Sequence, residues 1–296
     1  MLTKQQQEAL EYFSKHAEDW KRKAERGGNT KVNIIQQRNS YVLHVADERP
    51  ITRSFLDVGC GTGELVNDLA RRGIDAAGVD YAREMIDIAR KRGRDDGISS
   101  AKFVCCSIFD FEMQREGYDL ISANGFIEYI SQREMLIFFD RVAAALAPGG
   151  SFVVGSRNRL FDLVSMNEFT LQEAHSGSGD LLLREAVKWT NAEGMPEVGE
   201  GDCAPLQSPE TVHPNTGVKV ATRFQYSPFQ LISLLQDRGL RAEEVYAAHI
   251  HGVTPKFKER NMEVHASIAN LLQEYARHNT QLLAHASTFM LHVKKR

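Results

Sequence analysis

The sequence predicts an α/β protein built around a doubly wound, mostly parallel sheet. Three observations carry that reading. From Ile51 onward, strand-like apolar runs alternate with helix-like stretches, the rhythm of a parallel sheet with helices on both faces. The first run, "SFLDVG", leads straight into "GCGTGEL", where glycines at alternate positions turn the chain into helix formers. The segment "APGG", Ala147 to Gly150, closes one helix and turns into another strand.

Taken in order, residues 3–46 read as two helices forming a cap. The first is "KQQQEALEYFSKHAEDWKRKAE", with Leu10, Phe13 and Trp20 at roughly helical spacing, broken by Gly27, Gly28 and Asn29. The second runs from about Lys31 to Ala46, and Pro50 separates it from the alternating part of the chain. That part is "ITRSFLDVG" strand, "GELVNDLARRG" helix, "IDAAGVD" strand, "AREMIDIARKRG" helix, "AKFVCCSI" strand, "YDLISAN" strand, "QREMLIFFDRVAAALA" helix and "SFVVGS" strand. Residues 158–224 break this rhythm. They are rich in Gly, Pro, Asp and Glu and too long for a plain connection, so they read as a functional insertion or lid. Within them "LLLREAVKWT" is compatible with strands or a short helix. The sheet resumes with a helix "SPFQLISLLQDRGL", for which Ser227 is the expected N-cap and Pro228 the first residue. A strand around Glu244 to His249, a polar helix near 257–282 and a closing strand "STFMLHVKK" complete the chain. The expected division is a helical cap over 1–50 and a main domain over 51–296, with the insertion 158–224 as an acceptor-site lid.

Composition narrows the function. The 296 residues are 42% hydrophobic and 25% charged, ordinary for a globular protein, and the net charge of −3 does not favour a nucleic-acid partner. No apolar run approaches the ~20 residues of a membrane span, and the polar start "MLTKQQQEALEYF" lacks a secretory apolar core. Cys60, Cys105, Cys106 and Cys203 show no paired metal-ligand spacing, which suits buried thiols and a reducing, cytoplasmic setting. His249 and His251 alternate on one strand face, but no third ligand is evident and no metal is expected.

The glycine loop separates two ligand classes. A dinucleotide fingerprint is G-x-G-x-x-G, whereas here Gly59, Gly61 and Gly63 alternate, one residue too short. Asp57 stands inside the strand end before the loop. Its carboxylate would repel a diphosphate and attract a ligand bearing an ammonium group. S-adenosylmethionine carries an ammonium, a carboxylate and a sulfonium, and no phosphate. Asp80, nineteen positions after Gly61, can accept from ribose hydroxyls in either class.

"DVGCGTGEL", "GVDYAREMIDIAR", "FVCCSIFDF", "YDLISANGFIEYI" and "AAALAPGGSFVV", in that order, resemble the successive motifs of class I S-adenosylmethionine-dependent methyltransferases over residues 51–157. "YFSKHAEDWKRKAE" with "QQRNSYVLHV", and "YSPFQLISLLQDRGLRAEEV", are similar to the small-molecule, ubiquinone-biosynthesis-like branch. The resemblance implies a Rossmann-like, doubly wound, mostly parallel seven-stranded sheet with an antiparallel last strand, a helical N-terminal cap and an insertion after the fifth strand. It also implies roles. Gly59, Cys60, Gly61 and Gly63 would lie against the methionine moiety, with Asp57 contacting it directly or through water. Asp80 would bind the ribose hydroxyls, and Tyr81 and Met85 would flank the adenine. Ser107 stands where many members carry an adenine-binding aspartate, and Ile108 would pack on the ring. Asn124, Gly125 and Phe126 would face the methyl-donor end, and Arg38 would pair with the cofactor carboxylate.

Methyl transfer is an in-line displacement in which proximity and orientation supply much of the rate, and a base is needed only for a hydroxyl acceptor. Glu128 and Tyr129 are the catalytic candidates. Relatives of the ubiquinone type often have Glu-His there, so the tyrosine argues against a quinone-type phenol. Glu128 reads as a base or as an orienting or capping group. His175, His213, His249 and His251 are further candidates without a motif behind them. Arg157, Asn158 and Arg159, at the start of the insertion, could bind an anionic or sugar-containing acceptor or be surface charges. The expected function is methyl transfer from S-adenosylmethionine, with S-adenosylhomocysteine as product, to a small-molecule hydroxyl, possibly sugar-containing, or an amine. The alternatives are an S-adenosylmethionine-binding module without turnover and a nicotinamide-dependent oxidoreductase. No nucleic-acid or membrane partner is expected, and the chain would be a monomer or homodimer.

Overall fold

The computed structural model describes residues 4–25, 32–49, 52–208 and 223–296. The predicted breaks at Gly27, Gly28, Asn29 and Pro50, and the candidate His213, lie outside the described residues.

The central strands, Ser54–Val58 and Tyr118–Asn124, are short and buried on both faces, as central parallel strands must be. β1 (Ser54–Val58), β2 (Asp75–Asp80), β3 (Lys102–Cys105), β4 (Tyr118–Asn124) and β5 (Leu146–Arg157) run parallel, and β7 (Ala286–Lys295) lies antiparallel between β5 and β6 (Leu240–Ile250). The seven-stranded order is β3-β2-β1-β4-β5-β7-β6. The antiparallel last strand matches the expectation. The strand order reverses direction between β1 and β4, and in an open α/β sheet that switch point is where ligands bind, beyond the carboxyl ends of the strands.

Two-residue periodicity divides the core. Phe55, Leu120 and Val153 point to one face, where they meet Tyr41, Val42 and Val45 of α3 (Ile34–Glu48), Leu65, Val66 and Leu69 of α4 (Glu64–Arg71), and Ile86 and Ala89 of α5 (Arg83–Asp95). Leu56, Ile121, Phe152 and Val154 point to the other, against Met135, Phe138 and Phe139 of α6 (Gln132–Ala145). Along each strand neighbouring side chains thus serve opposite helical layers.

The predicted cap helix is two pieces, α1 (Lys4–Lys15) and α2 (Ala17–Glu25), although helical bonds from His16 N to Tyr12 O and from Trp20 N to His16 O carry the chain across the junction. α3 starts at Ile34 because the Asn33 carboxamide accepts from the N–H groups of Ile35 and Gln36. It docks on β6 through Tyr41, whose ring stacks on Tyr246 and whose hydroxyl donates to Glu244 at 2.9 Å.

Among its described residues, the insertion holds three helices, α7 (Arg159–Val164), α8 (Glu168–His175) and α9 (Gly179–Asn191). The ambiguous "LLLREAVKWT" is helical because Leu182, Ala186 and Trp189, spaced four and three apart, form one buried stripe. α10 (Pro228–Gln236) begins as expected, with Ser227 and Gln230 forming a capping box. The single polar helix expected near 257–282 is broken into α11 (Pro255–Arg260), α12 (Met262–Gln273) and two 3-10 turns. Asparagines stand at the breaks. Asn261 leaves helical geometry at φ −137°, and the Asn279 side chain accepts from Gln281 N–H, competing with the helical pattern. Among the described residues, no helix is long and apolar enough to cross a membrane.

Candidate active site

The carboxyl ends of β1, β2 and β4 open into a cavity of about 1520 Å³, its mouth included. Of the residues expected from the sequence, Arg38, Asp57, Gly59, Cys60, Gly61, Asp80, Tyr81, Met85, Ser107, Ile108, Asn124, Gly125, Phe126, Glu128 and Tyr129 all line it. Gly63 does not. It starts α4 at φ +76°, and a Cβ there would come within 2.6 Å of Ala89 Cβ and 2.8 Å of the Phe103 ring. Its smallness lets α4 pass close to α5 and β3, the packing task of a third fingerprint glycine.

One end of the cavity is acidic. Asp57 is buried at the tip of β1 and accepts from Ser122 Oγ at 2.5 Å. Burial pushes its carboxyl up to about 7, with Asp80 and Glu64 adding to the rise and Ser122 opposing it. Asp80 accepts from Gly61 N–H at 3.0 Å and from Ala82 N–H at 2.9 Å, one bond to each oxygen, and burial raises it too. Glu64 is already matched by Arg92 at 2.5 Å. Two desolvated carboxyls, each with spare lone pairs, suit a ligand that brings hydroxyls and a positive charge, and would oppose a diphosphate.

The other end is built from arginines around one glutamate. Glu128 is 1% exposed. It accepts from Arg157 N–H at 3.0 Å and from the Arg223 guanidinium, while the side chains of Arg38 and Arg157 lie 3.8 and 3.9 Å away. Burial alone would raise the Glu128 carboxyl, but Arg223, Arg157 and Arg38 outweigh it and hold the group below the usual range. Tyr129 packs edge-on to Phe13 and under the Arg223 guanidinium, and burial pushes its phenol up to about 12.

On the cavity wall, Asn124 Oδ1, Arg38 Nε and Trp20 Nε1 are buried without a hydrogen-bond partner among the described residues. Buried polar atoms in native proteins are normally paired, so these mark places for ligand groups. Gly125, at φ +70°, leaves room for Arg38 to lie against the backbone beside Asn124. Ser107 Oγ accepts from Phe109 N–H at 3.3 Å and retains a lone pair on the cavity wall. This donor set fits S-adenosylmethionine, with acidic groups for its ammonium and ribose and Arg38 for its carboxylate.

The sequence reading missed Arg223, because no motif in the sequence singles it out. Of the three polar residues at the start of the insertion, only Arg157 reaches the cavity. Asn158 is buried and bonds Leu283 O and Ala286 O, and Arg159 is buried against Glu173 at 2.5 and 2.8 Å. Neither is a surface charge. His175 and His249 stand apart from the lining residues, as does His251, which meets His249 and a third imidazole, His265, that sequence spacing did not disclose. Trp20 and Phe13, which read as cap packing, also face the cavity.

The fold, with its glycine turn at the switch point and paired acidic strand ends, is the one shared by class I S-adenosylmethionine-dependent methyltransferases. Residues 55–150 match the family model of a methyltransferase domain. A ubiquinone biosynthesis O-methyltransferase of Coxiella burnetii is 29% identical over 158 residues, covering 52% of this chain and 63% of the relative. One of Bradyrhizobium sp. is 35% identical over 105 residues, 36% of this chain and 40% of the relative. The matches therefore span less than two thirds of these curated relatives. Among solved structures, the CcbJ methyltransferase of Streptomyces caelestis superposes with a TM-score of 0.57 at 16% identity, covering 96% of this chain and 97% of that one. Magnesium protoporphyrin IX methyltransferase of Synechocystis PCC 6803, with bound SAH, gives 0.55 at 14% identity, covering 97% and 98%. At such identities these two share the fold with this chain.

Proposed function

We propose that the chain transfers a methyl group from S-adenosylmethionine to an oxygen nucleophile on a small molecule, and that the acceptor carries an acidic hydroxyl. When bound, S-adenosylmethionine supplies an electrophilic methyl carbon with a sulfur leaving group. Asp80 receives the ribose hydroxyls, Asp57 stands toward the ammonium, Arg38 meets the carboxylate, and Tyr81 and Met85 flank the adenine. Asn124, Gly125 and Phe126 wall the methyl end, beyond which lie Glu128, Tyr129, Arg157 and Arg223.

The observation that carries the acceptor class is the state of Glu128. A carboxylate held down by arginines is a weak base, and the Tyr129 phenol, at about 12, is not poised to take a proton at neutral pH. The described residues lining this end thus do not press a proton off an ordinary alcohol. They do favour an acceptor whose reacting oxygen belongs to an acidic group, a phenol or the carboxyl of a sugar acid, whose anion the guanidinium groups stabilise. An amine acceptor would bring its cationic form against the same arginines. The curated relatives' names, O-methyltransferases, point to oxygen as well. The insertion 158–224 serves as the wall of the acceptor pocket in this reading, since Arg157 just before it and Arg223 at its end both face the cavity.

The test is a screen with isotopically labelled S-adenosylmethionine against phenols, sugar acids, neutral sugars and amines, with product identification by mass spectrometry. Methylated phenols or sugar acids are expected. Transfer confined to amines, or stabilisation by NADH in place of S-adenosylhomocysteine, would overturn the reading.

A further inference from the structure

Outside this cavity, three histidines meet. His249 lies at the end of β6, His251 just beyond it, and His265 is on α12. Their ring centroids are 4.4, 4.8 and 5.8 Å apart, and one ring nitrogen from each lies within 4.8 Å of the others. His265 is 1% exposed and His251 7%. Neither nitrogen of either ring has a hydrogen-bond partner. An imidazole carries one donor and one acceptor, and burying both unmatched costs free energy unless something else takes them up.

We propose that His249, His251 and His265 form a binding site for one divalent transition-metal ion of the zinc class. The backbone and the surrounding groups prepare the site. His249 takes φ +56°, a conformation a non-glycine residue holds only when its surroundings impose it, and this brings its ring over His251. Ser287 Oγ lies 3.0 Å from His249 Nδ1, the kind of outer contact that orients a ligating ring, and His249 N–H donates to Gln37 at 2.9 Å. Nε2 of His249 faces Lys258 Nζ at 3.4 Å. The ammonium is the cation these lone pairs attract at present, and it marks where a metal would compete. Burial first, then Lys258 and the neighbouring rings, favours the neutral imidazoles that ligation needs. Zinc–nitrogen bonds of about 2.0–2.1 Å in a tetrahedral site put ligand nitrogens about 3.4 Å apart, so the rings need only swing inward by roughly 1 Å. Imidazole donors suit zinc, cobalt, nickel and iron over magnesium or calcium. Lys258 and Arg157 oppose added positive charge, which makes this a site to be loaded by displacing Lys258. A bound ion would tie α12 to the tip of β6, and through Gln37 to the cap helix that carries Arg38.

The experiment uses the full chain stripped with a chelator and titrated with Co2+, read by the visible ligand-field bands of a nitrogen-ligated site and by elemental analysis. About one ion per chain is expected, displaced by Zn2+, with a higher unfolding temperature in the loaded protein. His251→Ala and His265→Ala should each abolish the bands. Lys258→Met, which leaves the three ligands in place, should tighten binding about tenfold or more by removing the competing charge. Circular dichroism reports whether the alanine variants fold. If they do not, the wild type and Lys258→Met decide the matter. Substoichiometric cobalt without bands, bands that survive in the folded alanine variants, or no tightening in Lys258→Met would overturn the proposal.

Discussion

A Cβ built on Gly125 would lie 2.6 Å from Nη1 of Arg38, so the end of β4 and the cap helix meet at a position where only glycine leaves the arginine its place. Gly125 also sits at φ +70°, which costs an L residue about 1–2 kcal/mol. Because the opposing atom is the end of a flexible side chain, Gly125→Ala is expected to spare the fold and displace Arg38. Calorimetry should show S-adenosylhomocysteine binding weakened about tenfold or more, with an unfolding temperature lower by only a few degrees. Unchanged affinity would remove Arg38 from the cofactor site.

Asp57 predicts a pH dependence with a definite sign. Its folded value, about 7, lies above its unfolded value of 3.8. Between those values the unfolded chain loses a proton that the native state keeps, so stability contributed by this group is present below about pH 4 and falls as pH rises toward 7. The total is on the order of a few kcal/mol. Asp57→Asn should flatten that slope in denaturant titrations run across this range. A ligand ammonium would favour the ionised carboxyl, so S-adenosylhomocysteine binding near pH 6 should release a proton, detectable by calorimetry in buffers of different ionisation enthalpy. Asp57→Asn should lose both the proton release and roughly tenfold to hundredfold in affinity.

The proposed cofactor half of the cavity was legible as a place in the fold because its residues are tied to strand ends. Gly59 and Asp80 follow short apolar runs whose period sets where each strand stops, and the turn chemistry is local. Gly63 shows the limit. Its place in a turn was legible, but the Ala89 and Phe103 contacts that require glycine come from residues far along the chain. The acceptor half was less legible for the same reason. Arg223 reaches Glu128 across 95 positions, and no local pattern announces such a pairing. Arg159 is indistinguishable from Arg157 by composition, yet one is buried against Glu173 and the other faces the cavity. His265 joined His249 and His251 only because α12 folds back onto β6.

Glu128 organises three guanidinium groups, and its removal tests whether it acts as a base. Glu128→Gln leaves Arg38, Arg157 and Arg223 without their common counter-charge, and breaking such a buried arrangement costs about 3–5 kcal/mol. The folded carboxyl lies below its unfolded value of 4.5, so its contribution is present above that pH and is lost as pH falls through the folded value. Acid unfolding of the variant should accordingly be less steep. At temperatures where the variant is native, the pH profile of kcat/KM should keep the wild-type shape above pH 5. Loss of an ascending limb there would make Glu128 a general base after all.

Arg159 and Glu173 provide the contrasting case of a charged pair outside the cavity. The guanidinium donates to both carboxylate oxygens, at 2.8 and 2.5 Å, and to Pro205 O at 2.7 Å, while Gln207 donates to Glu173 at 3.3 Å. The pair joins α7 to α8, with both residues almost fully buried. Arg159→Met leaves the Glu173 carboxylate desolvated with only Gln207 to answer it, and should lower stability by about 3–5 kcal/mol. Replacing both residues, Arg159→Met with Glu173→Leu, removes the orphaned charge and should recover much of that loss, since buried ion pairs are often replaceable by packed apolar groups. Because neither side chain lines the cavity, S-adenosylhomocysteine affinity should stay within about twofold in both variants below their unfolding transitions. If the single variant lost affinity while still native, the packing of the insertion helices would govern the cofactor site and not merely stand beside it.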